Sequence, residues 1–277
     1  MKMINFFPTR IVLELTPLCN LTCSMCPRHY IKEKDGYMEE GLFKKLVDEI
    51  ARENKNAVIL PFWRGESCLH PSFDILVQYA LDNGLKIHLS SNGHFMAEKH
   101  CKIFYQCEFL TFSIHTPLGF ENAQKIIQDK PKDCKTTFQI SFVDSERTTS
   151  KYLKKCISHP TLIGFDSIRL YKEHTIGGEF GKSAEQNDKK RVFCPKLINT
   201  FVVSSDGYFS RCNHIWETQK EYNLAEHTIK EVWESQVMQN IRDNYPDSLC
   251  APCDQWSGHT CGESWRKVDN TIKHIIF

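Results

Sequence analysis

The chain has 277 residues, of which 41% are hydrophobic and 25% charged, which is typical of a folded protein with one large domain and a small second one. A formal net charge of +1 argues against nucleic acid and anionic lipid as partners, and no apolar run is long enough to span a membrane. No signal peptide is evident, so we expect a cytoplasmic protein whose 13 cysteines are metal ligands or buried thiols.

The first predicted strand, residues 11–15, leads directly into a loop with three cysteines. Cys19, Cys23 and Cys26 have the spacing Cys-x3-Cys-x2-Cys. Three thiolates can hold three irons of a 4Fe-4S cluster, which leaves the fourth iron open to a small molecule. Zinc is the alternative, because His29 would complete a Cys3His set.

Strand and helix patterns then alternate along the chain. The predicted strands are 11–15, 57–63, 86–90, 109–114, 136–143 and 165–171, and the predicted helices are 42–51, 73–83, 97–107, 121–129 and 152–158. Six strand–helix units predict an α/β fold with a parallel sheet, a partial (β/α)6 TIM-like barrel that stays open. Ligands of such folds bind at the carboxyl ends of the strands, where the cysteine loop and residues 64–67 and 90–93 all lie. We therefore expect one active site at these strand ends.

The pattern changes after residues 174–190, which are polar and predict a linker or lid. Residues 201–204 and 208–211 flank Asp206-Gly207 and predict a β-hairpin. We therefore divide the chain into a barrel domain, 1–190, and a small domain of hairpin and helix, 191–277.

A capping box of Thr228 and Glu231 predicts the start of that helix, which would carry Trp233, Val237 and Ile241.

A second cysteine set lies in the small domain. Cys194 and Cys212 flank the hairpin, and Cys250 and Cys253 form a Cys-x2-Cys after the predicted helix. Four thiolates make a closed site, either a 4Fe-4S cluster or a structural zinc, and the residues alone leave both open.

Taken together, these motifs resemble the radical S-adenosylmethionine (radical SAM) superfamily, and the second set is similar to its Twitch or SPASM extension. The resemblance implies that Cys19, Cys23 and Cys26 hold a 4Fe-4S cluster that binds SAM, and that Cys194, Cys212, Cys250 and Cys253 hold an auxiliary 4Fe-4S cluster. It assigns cofactor contacts to Met25, Gly65, Glu66, Ser91, Asn92, Ser113 and Gln139. Arg64 and Ser67 depart from the family's Gly-Gly-Glu-Pro segment, which leaves the local backbone shape open.

The resemblance also implies a reaction. Reductive cleavage of SAM, with electrons from a donor such as flavodoxin or ferredoxin, would give a 5′-deoxyadenosyl radical that abstracts a substrate hydrogen atom. The auxiliary cluster would then accept an electron, for a two-electron oxidation (dehydrogenation) of a small molecule such as a sugar or cyclitol in a biosynthetic pathway.

Three alternatives stay open at this point. A radical epimerase would use a cysteine, Cys261 or Cys68, as hydrogen donor. A peptide maturase would act on a ribosomally made precursor. A zinc-binding structural protein would explain both cysteine sets, but not the strand-end segments.

Candidates for the catalytic base follow the sixth strand. They are Arg169, Lys172, Glu173 and His174, and Arg169 could instead bind a hydroxyl, phosphate or carboxylate group of the substrate. We name Arg169, Glu173 and Cys261 as catalytic candidates.

Overall fold

A computed structural model describes residues 6–32, 35–94, 97–144, 149–172, 191–253, 255–256, 261–269 and 271–276. The strands of this part are β1 (Arg10–Leu13), β2 (Val58–Leu60), β3 (Lys86–Ser91), β4 (Phe109–Ser113), β5 (Thr137–Asp144), β6 (Ser167–Lys172), β7 (Thr200–Val203), β8 (Tyr208–Ser210), β9 (Gln219–Asn223), β10 (Cys261–Val268) and β11 (Thr271–Ile276). They form one sheet in the order β11-β10-β6-β5-β4-β3-β2-β1-β7-β8-β9.

Helices alternate with the first six strands. The α-helices of the described residues are α1 (Glu40–Glu53), α2 (Phe73–Asp82), α3 (Ala97–Phe104), α4 (Pro117–Gln128), α5 (Thr149–Ile157), α6 (Lys196–Asn199), α7 (Ile229–Trp233) and α8 (Gln236–Asp243). In α1, Phe43, Leu46, Val47 and Ile50 recur at helical spacing and are fully buried. The same spacing is what predicted this helix, and α1–α5 confirm the expected alternation.

The six strands β1–β6 are parallel and lie side by side in chain order. The sheet does not close, because β1 pairs with β7 and β6 pairs with β10. The predicted open, partial barrel is therefore confirmed.

The two faces of the barrel strands differ in polarity. Phe112 of β4 is buried on the helix side, where its ring meets that of Phe104 in α3 at 6.1 Å. Its neighbours Thr111 and Ser113 point to the other face, since successive side chains of a strand alternate. Polar residues such as Ser113 are thus turned into the barrel, where the site lies.

The later part of the chain extends both sides of this parallel sheet. β7 adds to β1 and continues through β8 to β9, and the predicted hairpin at Asp206-Gly207 is present. The hairpin β10–β11 instead adds antiparallel to β6, which the sequence did not predict. The proposed boundary at residue 190 lies outside the described residues, so the division into two domains stays a prediction.

The capping box of Thr228 and Glu231 is present, but the predicted single helix is wrong. It is interrupted after Trp233, and Ser235 caps the separate helix α8 by accepting a hydrogen bond from the Met238 amide at 3.4 Å. A serine at this position competes for backbone amides, which favours a new helix start. None of the described helices is long and apolar enough to cross a membrane.

Candidate functional site

The three cysteines of the first motif line one cavity of about 400 Å³ at the carboxyl ends of the barrel strands. A turn with a hydrogen bond from the Cys26 amide to the Cys23 carbonyl, 3.0 Å, brings the thiols together. Burial, together with the nearby Cys26 and Cys19, raises the pKa of Cys23 to about 11. Free thiols are therefore protonated here, whereas a bound metal cluster would hold them as thiolates.

Three thiols on one wall, with open space beside them, fit a cluster that has one iron without a protein ligand. Within the described ranges, no group of three His, Cys, Asp or Glu residues is arranged to hold a single metal ion. The assignment of a cluster therefore rests on the three cysteine thiols and on the cavity that all three line.

Gly65 is the point of closest approach between the end of β2 and the cysteine loop. A Cβ atom at this position would lie 2.4 Å from the carbonyl oxygens of both Thr16 and Leu18. The adjacent Glu66 amide donates to the Leu18 carbonyl at 2.7 Å. Only glycine allows this contact, which explains why Gly65 fits the family segment although Arg64 and Ser67 depart from it.

Replacing Gly65 by alanine is expected to displace the cysteine loop. Backbone atoms cannot move aside as a flexible side chain can, so we expect a loss of stability of about 2–4 kcal/mol and poorer cluster retention. Urea unfolding and iron content of the purified variant measure the two effects. Gly41→Ala is the control, because a Cβ at Gly41 meets nothing within 4 Å. Equal iron content and stability in the two variants would contradict the idea that close packing at Gly65 holds the cysteine loop in place.

Glu66 connects the segments that follow β1, β2 and β3 by hydrogen bonds of its amide and its carboxylate. Its buried carboxylate accepts hydrogen bonds from the amides of Asn92, 2.7 Å, and Cys68, 3.2 Å. Burial raises the pKa of this carboxyl, and the same hydrogen bonds oppose the shift. The Asn92 side chain in turn donates to Asn20 at 2.9 Å and lies 3.9 Å from the Cys19 sulfur. The cysteine loop and two strand-end segments therefore form one connected unit.

Most of the predicted cofactor contacts share the cavity with the cysteines. Its wall includes Met25, Gly65, Glu66, Ser91, Asn92 and Ser113. Gln139 is the exception: its amide donates to Thr111 at 3.2 Å and accepts from Ser167 at 3.3 Å, and it is absent from the wall. Gln139 therefore braces neighbouring strands, and its contact with the cofactor stays a prediction.

His115 also lines the cavity, two residues beyond Ser113, and sequence reasoning did not single it out. Burial lowers the pKa of His115 to about 4, with a smaller contribution from His94. His94 in turn bonds to Thr116, the N-cap of α4. The sequence does place His115 just after a predicted strand, but a single histidine in that position is too common to indicate a functional site.

A neutral, partly buried histidine predicts a loss of stability in acid. The unfolded chain takes up a proton near the ordinary histidine pKa, whereas folded His115 resists protonation until about pH 4. Stability is therefore present above pH 6.5 and falls as the pH drops towards 4, by about 2 kcal/mol between pH 7 and pH 5. Urea unfolding at the two pH values measures this change. The His115→Gln variant should lack this contribution; an unchanged pH dependence would contradict it.

Arg64 occupies the place of a family glycine and forms a buried ion pair. Its Nε and Nη2 atoms donate to the two carboxylate oxygens of Glu14 at 2.8 and 2.6 Å, and both side chains are at most 1% exposed. Glu14 also accepts from the Ser205 amide, 3.2 Å, and Arg64 Nη1 donates to the Trp216 carbonyl, 3.3 Å. The pair thus joins the barrel to the segment that carries the second cysteine set.

That second set, Cys194, Cys212, Cys250 and Cys253, lines a narrow cavity of its own. Burial raises the pKa of Cys250 to about 12 and that of Cys212 to about 11. Backbone amides of His214 and Gln255 donate to the sulfurs of Cys212 and Cys253 at 3.4 and 3.3 Å. Four thiols with N–H···S contacts fit a closed iron–sulfur cluster.

The backbone around this set is held by two arginines. Arg191 donates to the carbonyls of Cys250 and Ala251, each at 2.8 Å. Arg211 forms an ion pair with Asp247 at 2.6 Å, and Asp247 accepts from the Cys250 amide at 3.0 Å. These contacts fix the Cys-x2-Cys turn.

The two cysteine sets are joined by a short segment. Asn213, His214 and Trp216 line the first cavity, and His214 also lines the second. The Trp63 indole donates to the Asn213 carbonyl at 2.9 Å, which fastens this segment to the barrel mouth. Sequence spacing alone cannot show that residues 213–216 reach the first motif.

The catalytic candidates predicted from the sequence do not form one group among the described residues. Arg169 lies on the inner face of β6 and pairs in register with Ser264, whereas Glu173 and His174 fall outside the described residues. Cys261 pairs with Tyr171, and its side chain is not described. Cys68 is only 3% exposed and does not line the cavity, so the idea that its thiol meets substrate loses support.

Comparison with known proteins shows similarity to a domain family and to several solved structures. Residues 194–254 match SPASM, an iron–sulfur cluster-binding domain. BtrN in complex with AdoMet and 2-DOIA superposes with a TM-score of 0.66 at 19% identity, covering 91% of this chain and 95% of that one. SuiB of Streptococcus suis, bound to precursor peptide SuiA, gives 0.66 at 12% identity over 89% and 70%.

This chain shares the fold of these two proteins, and its residues 194–254 are similar to the SPASM domain family. A further neighbour of the same fold is anSMEcpe with bound AdoMet, with a TM-score of 0.61 at 17% identity over 84% of this chain and 82% of that one. For the four cysteines of the SPASM domain, the match names an iron–sulfur cluster and not zinc.

Two curated relatives match over shorter stretches. A tungsten-containing aldehyde ferredoxin oxidoreductase cofactor-modifying protein of Pyrococcus furiosus is 29% identical over 33% of this chain and 26% of its own length. An S-adenosylmethionine-dependent nucleotide dehydratase of Selenomonas ruminantium is 31% identical over 31% of each. The matched part thus spans less than a third of either relative, whose reactions differ.

Proposed function

We propose that this radical SAM protein is an oxidoreductase that removes a hydrogen atom and then an electron from a small molecule such as a sugar or cyclitol. One observation carries the proposal: Asn213, His214 and Trp216, within the residues that match SPASM, line the same cavity as the three cysteines of the first motif, and His214 also lines the cavity of the second set. A substrate in the first cavity would therefore lie next to the second metal site.

The bound groups would supply the redox chemistry. When present, a cluster on the first cysteines provides the electron that splits SAM into methionine and a 5′-deoxyadenosyl radical, and a cluster on the second set can take up one electron. In the net reaction the substrate loses two electrons and two protons, one of these as the hydrogen atom that forms 5′-deoxyadenosine. The electron that splits SAM comes from a donor such as flavodoxin or ferredoxin.

The chain's own residues bind and orient. Met25, Gly65, Glu66, Ser91, Asn92 and Ser113 make up the wall on which SAM would lie. Trp63 and Trp216 add apolar area to the same cavity, and this surface keeps water from a radical. These residues hold the reactants in place and leave the redox steps to the cofactors.

The test is anaerobic reduction of the reconstituted protein with SAM and candidate substrates, in deuterium oxide. Oxidation predicts one 5′-deoxyadenosine and one oxidised product per turnover, without deuterium at carbon. Deuterium at carbon supports the epimerase instead. A protein without iron and sulfide that forms no 5′-deoxyadenosine would exclude radical SAM chemistry altogether.

A further inference from the structure

A row of polar residues crosses the inner face of the barrel and ends at the C-terminal hairpin. Ser113 of β4 pairs with Ser141 of β5, Ser141 with Arg169 of β6, and Arg169 with Ser264 of β10. Residues paired in register across strands point to the same face of a sheet. Ser113 lines the first cavity, and its hydroxyl lies 3.1 Å from that of Ser141. The row therefore leads from the cavity wall towards Arg169 and Ser264.

At the far end of this row, two buried polar atoms have no hydrogen-bond partner among the residues that the structure describes. They are Nε of Arg169 and Oγ of Ser264, and Ser264 is 0% exposed. Buried polar groups are nearly always hydrogen-bonded, because an unpaired one loses its hydration without compensation. Two such atoms side by side, on paired residues facing the same way, indicate a place that a ligand completes.

The shape of the free donors selects the ligand chemistry. The Arg169 Nη1 group donates to the Tyr171 hydroxyl at 3.3 Å, which leaves the Nε side of the guanidinium as the unused edge. That edge presents parallel N–H groups and matches the two oxygens of a carboxylate or phosphate.

Charge favours the carboxylate. The paired neighbours of Arg169 on this face, Ser141 and Ser264, are neutral, and so is the Tyr171 hydroxyl. Among the residues described in this row, Arg169 is thus the one cation, which balances a monoanion but not a phosphate dianion.

We propose that Arg169 and Ser264 form a subsite that binds a carboxylate group of the substrate. This inference deepens the proposed function, on which it depends, and narrows the substrate to a small molecule, such as a sugar or cyclitol derivative, that carries a carboxylate group. Arg169 then acts by binding, since a guanidinium stays protonated in proteins and does not serve as a base.

The subsite can be tested without knowing the substrate, using acetate as the probe. The cluster-loaded protein, labelled with ¹⁵N-arginine, is titrated with sodium acetate at constant ionic strength while the Arg169 Nε–H signal is followed by NMR. We expect a saturable shift of this signal. The affinity for acetate, followed at neighbouring amides, should fall about tenfold or more in Arg169→Gln and about threefold in Ser264→Ala. Arg266→Gln is the matched control, because Arg266 lies on β10, the strand of Ser264, and is exposed. This variant should leave acetate binding unchanged.

Three results would overturn the proposal. Acetate binding that is equal in Arg169→Gln and wild type would remove the subsite. Loss of the acetate shift at saturating SAM would mean that Arg169 holds the carboxylate of SAM. Inorganic phosphate binding tenfold tighter than acetate would show that the anion class is wrong. Formation of 5′-deoxyadenosine by the wild type tests the proposed function separately, so its failure is distinguishable from these.

Discussion

Replacing Cys23 by alanine is expected to lower reductive SAM cleavage by about a thousandfold or more, to the background rate. Three cysteines are the least that can hold the cluster while leaving one iron open, so the loss of one ligand removes the electron source. The measurement is 5′-deoxyadenosine released under anaerobic reduction, together with iron per chain, which should fall from about eight towards four.

Cys134→Ala is the control for this variant. Its thiol lies 3.7 Å from the Tyr105 carbonyl and is absent from the walls of both cysteine cavities. It should keep full iron content and full cleavage. If Cys23→Ala cleaves SAM as well as Cys134→Ala, then the site is elsewhere and the proposed function is wrong.

Replacing Glu14 by glutamine is expected to destabilise the protein by about 3–5 kcal/mol. The change leaves the Arg64 guanidinium buried without its counter-charge, which costs far more than an exposed ion pair contributes. Equilibrium urea unfolding of the loaded protein under anaerobic conditions measures the effect. Because Arg64 lines the first cavity, where we propose that SAM binds, SAM affinity should fall as well.

A matched control is Glu53→Gln, which makes the same chemical change in a half-buried pair with Lys230 at 3.4 Å. It should cost far less than Glu14→Gln does, because water screens an ion pair at the surface. The double variant Glu14→Met/Arg64→Met should recover part of the lost stability, since an apolar pair leaves no buried charge. If Glu14→Gln costs no more than Glu53→Gln, the pair does not support the fold.

Local patterns predicted the barrel well. The helix α1 and the strands β1–β6 each have an apolar periodicity of their own. The loop after β1 contains three closely spaced cysteines, which indicate a metal site. These signals depend on residues close in sequence, which is why they could be read without a structure.

The site's long-range contacts could not be read in the same way. Glu14 lies between the buried Leu13 and Leu15, a pattern typical of an outward-facing strand residue, yet its partner Arg64 lies 50 positions away. The pairing of Arg169 with Ser264 joins residues almost a hundred positions apart through a hairpin with no strong apolar signal. A one-residue change of register would turn Ser264 to the other face, and only the folded sheet fixes that choice.

The completed sheet also has a consequence for how the protein matures. Both lateral edges of the parallel sheet, β1 and β6, are covered by strands from the last third of the chain. While the ribosome is still making that third, the nascent barrel displays two unpaired edges, which are templates for pairing with other chains. Production at low temperature or with co-expressed chaperones should therefore raise the yield of monomeric protein more than any change near the cysteines.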